Sequence, residues 1–308
     1  MSECRARGNF YSGMGLDRAE HLRRDADWLG ERLADPQSRF VPVWRARNLI
    51  RRGADPRAAW LDGAAAAPLL PLAAETIFLG RAGETGYFAL DLSGLEAPEA
   101  EPALAEHGEF EDLRAIGPLL ERGEGAILAY ARGLVYWHQR HRFCGVCGRP
   151  TASTQGGHVR RCTGEACGAE HFPRTDPAVI MLVHDGERCV LGRQKFWPDG
   201  MHSTLAGFVE PGESLEEAVA REVKEEVGLE LDAVAYHSSQ PWPFPASLML
   251  GFHATCRHLP LEINAQELAA AAWYTRAELE ASPEDESFRL PRRDSIARRL
   301  IEDWLAAG

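Results

Sequence analysis

The stretch "GFVEPGESLEEAVAREVKEEVGL", Gly207–Leu229, decides how this chain reads. Ser214 stands where a helix N-cap belongs, and Glu217, three residues on, completes a capping box. Gly228 supplies a left-handed stop. Between them Leu215, Val219, Val223 and Val227 recur every fourth residue and form one apolar stripe on a helix. Glu222 and Glu226 fall one turn apart on one face, with Glu225 beside them. Carboxylates crowded into the C-terminal half of a helix repel one another and oppose its macrodipole. They require a counter-charge. A hard divalent cation such as Mg²⁺ or Mn²⁺, bound through oxygens and partly hydrated, supplies one. Arg221 can orient a carboxylate by bidentate pairing. A merely solvated helix face would explain neither glutamates near the helix end nor the two glycines.

Outward from this segment the pattern is α/β. "AVIMLV" at 178–183 is a buried-strand run, "RCVLGRQ" at 188–194 a second strand and "STLAGFVE" at 203–210 a third. Strands are expected near 234–238 and 247–256, and helices at 214–227, 275–281 and 295–306. Strands and helices in alternation imply a layered α/β domain over 177–308.

Upstream, "CGVC" at Cys144–Cys147 and "CTGEAC" at Cys162–Cys167 form two close thiol pairs. Zn²⁺ takes four tetrahedral ligands, and two pairs on tight turns deliver them. Gly145, Gly148, Gly164 and Gly168 suit those turns. With all four positions filled, the site is structural, and 141–176 reads as a zinc ribbon. Cys4, Cys189 and Cys256 are isolated and read as small apolar residues. Arg140, Arg142, Arg149, Arg160, Arg161 and Arg174 surround the ribbon. They read as a solvated face, with nucleic-acid binding as the alternative.

Residues 1–140 carry no chemical motif. Arg- and Ala-rich helical patterns alternate with strand-like "ETIFLGRAG" and "GYFALDLSG"; 94–111 reads as a connector and roughly 116–140 as a helix with apolar Ile127, Leu128, Leu134 and Trp137. A structural or dimerisation α+β domain is expected. The net charge of −12 argues against general nucleic-acid affinity. No run of uncharged apolar residues is long enough to span a bilayer, and neither end reads as a targeting signal, so a cytoplasmic location is expected.

The spacing Gly207, Glu213, Arg221, Glu222, Val223, Glu225, Glu226, Gly228, Leu229 resembles the signature of the Nudix hydrolase superfamily, with no mismatch. Its members cleave nucleoside diphosphates linked to another moiety. The resemblance implies an α/β/α sandwich with a mixed sheet, metals held by Glu222, Glu225 and Glu226, and a metal-facing carbonyl on Ala206. The downstream stretch "SQPWPFPASLM", Ser239–Met249, narrows the resemblance to the NADH pyrophosphatase branch. That branch also has a four-cysteine ribbon, although this chain's second pair is spaced by four residues rather than the commoner two. Carried over residue by residue, the segment Gln240, Pro241, Trp242, Pro243, Phe244, Pro245, Ala246, Ser247 lines the dinucleotide pocket. Glu267 is an additional metal-binding glutamate. The resemblance implies that Phe172 and Phe208 stack on the nicotinamide, with a Phe208 contributed by the partner protomer as the alternative, and that Ala297 makes a backbone contact. Phe172 stands where Tyr is common. Arg114 is a further substrate contact that no motif supports. Three prolines would hold the segment as a preformed wall; a loop filling a core gap is the alternative. The resemblance implies hydrolysis of NADH or NAD⁺ to AMP and nicotinamide mononucleotide, activity on NAD-capped RNA, structural Zn²⁺, catalytic Mg²⁺ or Mn²⁺, and a homodimer. Another Nudix diphosphatase, acting on ADP-ribose or a related compound, and a non-catalytic nucleotide sensor are the rivals.

Overall fold

The computed structural model describes residues 8–308, so Cys4 lies outside the described residues. The chain forms two units. One holds Tyr11–Thr175 and Trp242–Ala246; the other holds residues 8–10, Asp176–Pro241 and Ser247–Gly308.

In the first unit, short apolar runs build one sheet from β1 (Arg39–Trp44), β2 (Arg47–Arg51), β3 (Arg57–Ala58), β4 (Glu75–Ala82), β5 (Thr85–Asp91) and β6 (Glu109–Glu111). The order is β3-β2-β1-β5-β4, with β6 on β2. β1 and β5 run parallel, whereas β1–β2 and β4–β5 are antiparallel. Phe40, Phe78, Phe88 and Leu90 fill its core. The helix expected from about residue 116 begins instead at Arg122 and runs to Arg140. Pro118 lies in a 3-10 turn, Gly117–Leu119, and Glu121 caps the new start by accepting from the Glu124 N–H. The expected connector 94–111 is also partly structured, because "EFE" adds to the sheet as β6, pairing Phe110 with Leu49. The ribbon follows as a three-stranded sheet of β7 (Thr151–Thr154), β8 (Val159–Cys162) and β9 (Glu170–His171).

In the second unit, β10 (Asp176–His184), β11 (Arg188–Gln194), β12 (Leu205–Phe208), β13 (Ala233–Trp242), β14 (Ser247–Thr255) and β15 (Leu268–Thr275) form a sheet ordered β13-β14-β10-β11-β15, with β12 on β10. β10 runs parallel to β14 and antiparallel to β11 and β12, so the sheet is mixed. Side chains alternate across a strand, and both faces of β10 are apolar. Val179, Met181 and Val183 pack with Ala218, Val219, Val223 and Val227 of the helix Leu215–Val227. Ile180 and Leu182 pack with Ile296, Leu300, Ile301 and Trp304 of the helix Ile296–Ala306. The result is an α/β/α sandwich in which each fully buried Val or Leu contributes about 1.5–3 kcal/mol. Cys256 and Cys189 sit in these two layers, and burial pushes their thiols up to about 11 and about 12 respectively. Both act as small apolar residues. Among the described residues, no helix is long and apolar enough to cross a membrane.

Candidate active site and zinc ribbon

The glutamate helix is fixed at both ends by its own sequence. Ser214 and Glu217 form the capping box, and Gly228 takes a left-handed φ of 73° as the stop. Beyond Gly228, the Glu262 N–H donates to the Val227 carbonyl and the Asn264 N–H to the Glu226 carbonyl, at 3.0 and 2.9 Å. These bonds satisfy helix-end carbonyls and strap down the loop that carries Glu267. Asn264 Nδ2 also donates to Glu267 Oε1 at 3.1 Å. The sequence reading missed Asn264; its spacing of three from Glu267 was the available signal.

Gly207 is the other constraint. A Cβ there would stand 1.8 Å from the carboxyl carbon of Glu222. The bare backbone of β12 is what lets that carboxylate lie across it. Arg221 then ties the preceding loop to the helix. Its Nε and Nη2 donate to the two Glu213 oxygens at 2.6 and 3.1 Å. Nη2 also donates to the Phe208 carbonyl, and Nη1 to Glu222 and Glu225, at 2.9, 2.9 and 2.8 Å. The bidentate partner of Arg221 is therefore Glu213, outside the helix. The Glu213 carboxylate is held below its usual range by Arg221 and the Glu210 N–H.

The acidic face is under-compensated. Glu226 is 3% exposed, and its Oε2 has no hydrogen-bond partner within the structure. Burial, reinforced by the charges of Glu222 and Glu267, pushes it up to about 8, with the Ala206 backbone opposing. Glu222 is also raised, chiefly by burial; Arg221 opposes, and Glu225 and Glu267 add to the rise. Glu222, Glu226, Glu267 and Ala206 thus share one electrostatic neighbourhood. Glu225 is exposed and joins them through Arg221. A buried carboxylate oxygen without a partner is costly. An all-oxygen donor set fits a hard divalent cation in chemistry, and the orphaned Glu226 oxygen fits it in charge. The Phe208 ring, at the end of β12, is 60% exposed.

Other residues singled out from the sequence fall in different surroundings. Gln240 is fully buried. Its Nε2 donates to the Asp294 carbonyl at 2.7 Å and its Oε1 accepts the Ile296 N–H at 2.7 Å. It braces the start of the C-terminal helix by satisfying an orphan N–H. Ala297, next on that helix, buries its methyl in the core. Pro241 and Ser247 are half-buried strand residues flanking a turn. The turn itself, Trp242–Ala246, belongs to the other unit. There Trp242 and Phe244 pack edge-on to each other and to Tyr11, with ring centres 5.1–6.0 Å apart. Pro243 is buried, Ala246 half-buried and Pro245 exposed. The guanidinia of Arg114 and Arg132 lie 4.9 and 4.7 Å from the Phe244 ring centre. Arg114 therefore meets the Pro-rich turn, a pairing that no sequence motif announced. Phe172, after β9, is 62% exposed.

The ribbon thiols converge. Cys144, Cys147, Cys162 and Cys167 place all four sulfurs within 4.8 Å of one another, with Cys144–Cys167 at 3.8 Å and Cys147–Cys162 at 3.4 Å. A tetrahedron with Zn–S bonds of about 2.3 Å puts sulfurs about 3.8 Å apart, so the cluster fits zinc. Backbone N–H groups of Cys147 and Val146 hold the Cys144 thiol down at about 6. Of the four glycines beside the cysteine pairs, Gly148 and Gly168 adopt left-handed φ, 73° and 59°. At Gly164 a Cβ would stand 2.8 Å from Cδ of the exposed Arg149 side chain, which would have to shift. Arg160 departs from the expected solvated face. It is buried, paired with Glu75, and donates to Thr151 Oγ1 and the Thr151 carbonyl, both at 2.8 Å.

Comparison with known proteins agrees with this geometry. Residues 174–297 match the NUDIX domain, 37–137 the NADH pyrophosphatase-like rudimentary NUDIX domain, and 139–172 the NADH pyrophosphatase zinc ribbon domain. The chain is 40% identical over 310 residues to the NAD-capped RNA hydrolase NudC of Mycobacterium bovis, covering 96% of this chain and 94% of that protein. It is 32% identical over 346 residues to the human NAD-capped RNA hydrolase NUDT12, covering 99% of this chain and 74% of that protein. The chain belongs to the Nudix hydrolase superfamily. Within it, the ribbon and the rudimentary domain place it in the NADH pyrophosphatase branch.

Proposed function

We propose that this protein hydrolyses the diphosphate of NADH or NAD⁺ to AMP and nicotinamide mononucleotide, and removes the NAD cap from RNA 5′ ends. One observation carries the reading: Glu222 and Glu226 are both raised by burial and by the charge of Glu267, with an orphaned, buried oxygen on Glu226. The names of the relatives supply the substrate class. Glu222, Glu225, Glu226 and Glu267, with the Ala206 carbonyl, would hold Mg²⁺ or Mn²⁺. Such ions neutralise a diphosphate and activate water when bound. Arg221 and Glu213 keep the loop and helix in register, so Arg221 is a positioning residue. The exposed rings of Phe208 and Phe172 offer stacking faces for nicotinamide or adenine. Arg114, Pro241, Trp242, Phe244, Ser247 and the Ala297 backbone complete the proposed substrate contacts. We assign residues 1–140, 141–176 and 177–308 as three functional parts, the second holding structural Zn²⁺. The working form is a cytoplasmic homodimer.

The test is a substrate panel in Mg²⁺: NADH, ADP-ribose and an NAD-capped RNA, with products separated by chromatography. The expected result is higher kcat/KM for NADH than for ADP-ribose, with AMP released from NADH. The reverse order would refute the substrate assignment and leave family membership standing.

A further inference from the structure

The loop between β14 and β15 carries the one glutamate of the acidic face that lies outside the glutamate helix. Glu267 is exposed, and its charge acts on both Glu222 and Glu226. Like charges drive such a side chain out toward solvent, and a glutamate has the rotamer freedom to comply. Among the described residues, its carboxylate accepts one hydrogen bond, from Asn264 Nδ2 at 3.1 Å. Asn264 is in turn anchored on the helix. Its N–H donates to the Glu226 carbonyl at 2.9 Å. Its carbonyl accepts the N–H groups of Glu267 and Leu268 at 3.1 and 3.0 Å. Its Oδ1 accepts the Gln266 N–H at 3.0 Å. Each polar atom of this half-buried residue is engaged. Leu268, the first residue of β15, is buried in the core beside the helix and fixes the far end of the loop.

One residue thus joins the backbone of Glu226 to the carboxylate of Glu267, and its chemistry suits that task. A lysine there would neutralise Glu267, and an aspartate would repel it. An amide donates without carrying charge, so the carboxylate keeps its charge for an ion. We propose that Asn264 is a positioning residue, which fixes the Glu267 carboxylate relative to Glu226 and so sets the affinity of the acidic face for its divalent cation. The inference rests on the reading of Glu267 as a metal ligand. Removing a partner that orients a metal-binding side chain costs roughly 10–100-fold in metal affinity. The competing role for Asn264 is local: its Oδ1 closes a turn at Gln266, with no consequence for the ion.

Titration of the full chain with Mn²⁺, followed by the electron paramagnetic resonance signal of the free ion, separates the two roles. Asn264→Ala should weaken Mn²⁺ binding about tenfold. In a Glu267→Gln background the same substitution should change Mn²⁺ binding no further, because a residue that acts through Glu267 has nothing left to orient. Asn264→Ser is the second variant if Asn264→Ala melts early, since its hydroxyl still accepts the Gln266 N–H while the amide donor is gone. Equal weakening in both backgrounds would show a general loosening of the loop and overturn the inference. Unchanged binding by Asn264→Ala, beside weakened binding by Glu267→Gln, would overturn it and leave Glu267 a ligand. Unchanged binding by Glu267→Gln would overturn the ligand reading itself, and the inference with it.

Discussion

The two units treat buried charge in opposite ways. In the N-terminal unit the Glu75, His138 and Arg160 cluster is matched. Arg160 pairs with Glu75 and bonds Thr151, while His138 bonds the Gly157 carbonyl at 2.8 Å and lies 2.7 Å from Arg160 Nη1. Glu75 is held below its usual range by His138 and Arg160 against the opposing effect of burial. In the catalytic unit Glu226 is buried with an oxygen unpartnered, and Glu222 is raised as well. The helices repeat the contrast. Glu124 lies in the first turn of the helix Arg122–Arg140, where the macrodipole favours an acid. Glu222, Glu225 and Glu226 lie in the second half of theirs, where it does not. A matched network holds a fold together; a mismatched one stores free energy that a ligand can release. On the proposed function, the mismatch marks the chemistry.

The largest break in this contrast comes from Gly207→Ala. Its methyl would displace the Glu222 carboxylate, and misplacement on the order of 1 Å costs about 10²-fold in rate. Steady-state NADH hydrolysis reads the loss, and an unchanged rate would mean that Glu222 is not at the reaction. Next is Arg160→Ala, which leaves Glu75 and His138 buried without their partner. A loss of about 3–5 kcal/mol is expected, measurable by urea denaturation; a loss below about 1 kcal/mol would show that the network is not a stabilising one.

Smaller effects appear with pH. Glu226 is raised from 4.5 to about 8, so its contribution to stability is fully present below pH 4.5 and is lost as pH rises through 8. Without added divalent cation, Glu226→Gln should melt roughly 5 °C above the unsubstituted protein at pH 9, with the gap closing near pH 5. Melting curves at the two pH values decide; no gap at pH 9 contradicts the mismatch. At the acid end the units behave alike. Burial lowers His158 in one unit and His253 in the other from 6.5 to about 4. Both contribute stability that is present above pH 6.5 and lost as pH falls through 4. Replacing either with Gln should flatten the acid side of the stability curve; an unaltered slope would show that its protonation is not coupled to folding.

Much of the catalytic unit was legible in the sequence, because its signals are local. The capping box and the four-residue stripe each fall within one element, as the paired cysteines of the other unit fall within single turns. What escaped is assembled from distant positions. Glu75, His138 and Arg160 have no shared pattern, so Arg160 read as one solvated arginine among several. Gln240 sits in a proline-rich stretch whose periodicity cannot reveal which side chain turns inward. Pro118 lies inside the stretch whose apolar residues read as one longer helix, and it sits in the 3-10 turn that precedes the helix Arg122–Arg140. The stacking of Arg114 on Phe244 joins positions that no spacing rule connects.

The central claim is that the under-compensated glutamates perform the hydrolysis. Turnover of NADH in Mg²⁺ by Glu226→Gln, measured beside its melting temperature, tests it most directly. The account predicts a loss of at least about 10³-fold, the scale expected when a group that stabilises the transition state is removed, with melting unchanged or raised. Hydrolysis at the unsubstituted rate by a folded Glu226→Gln protein would contradict it.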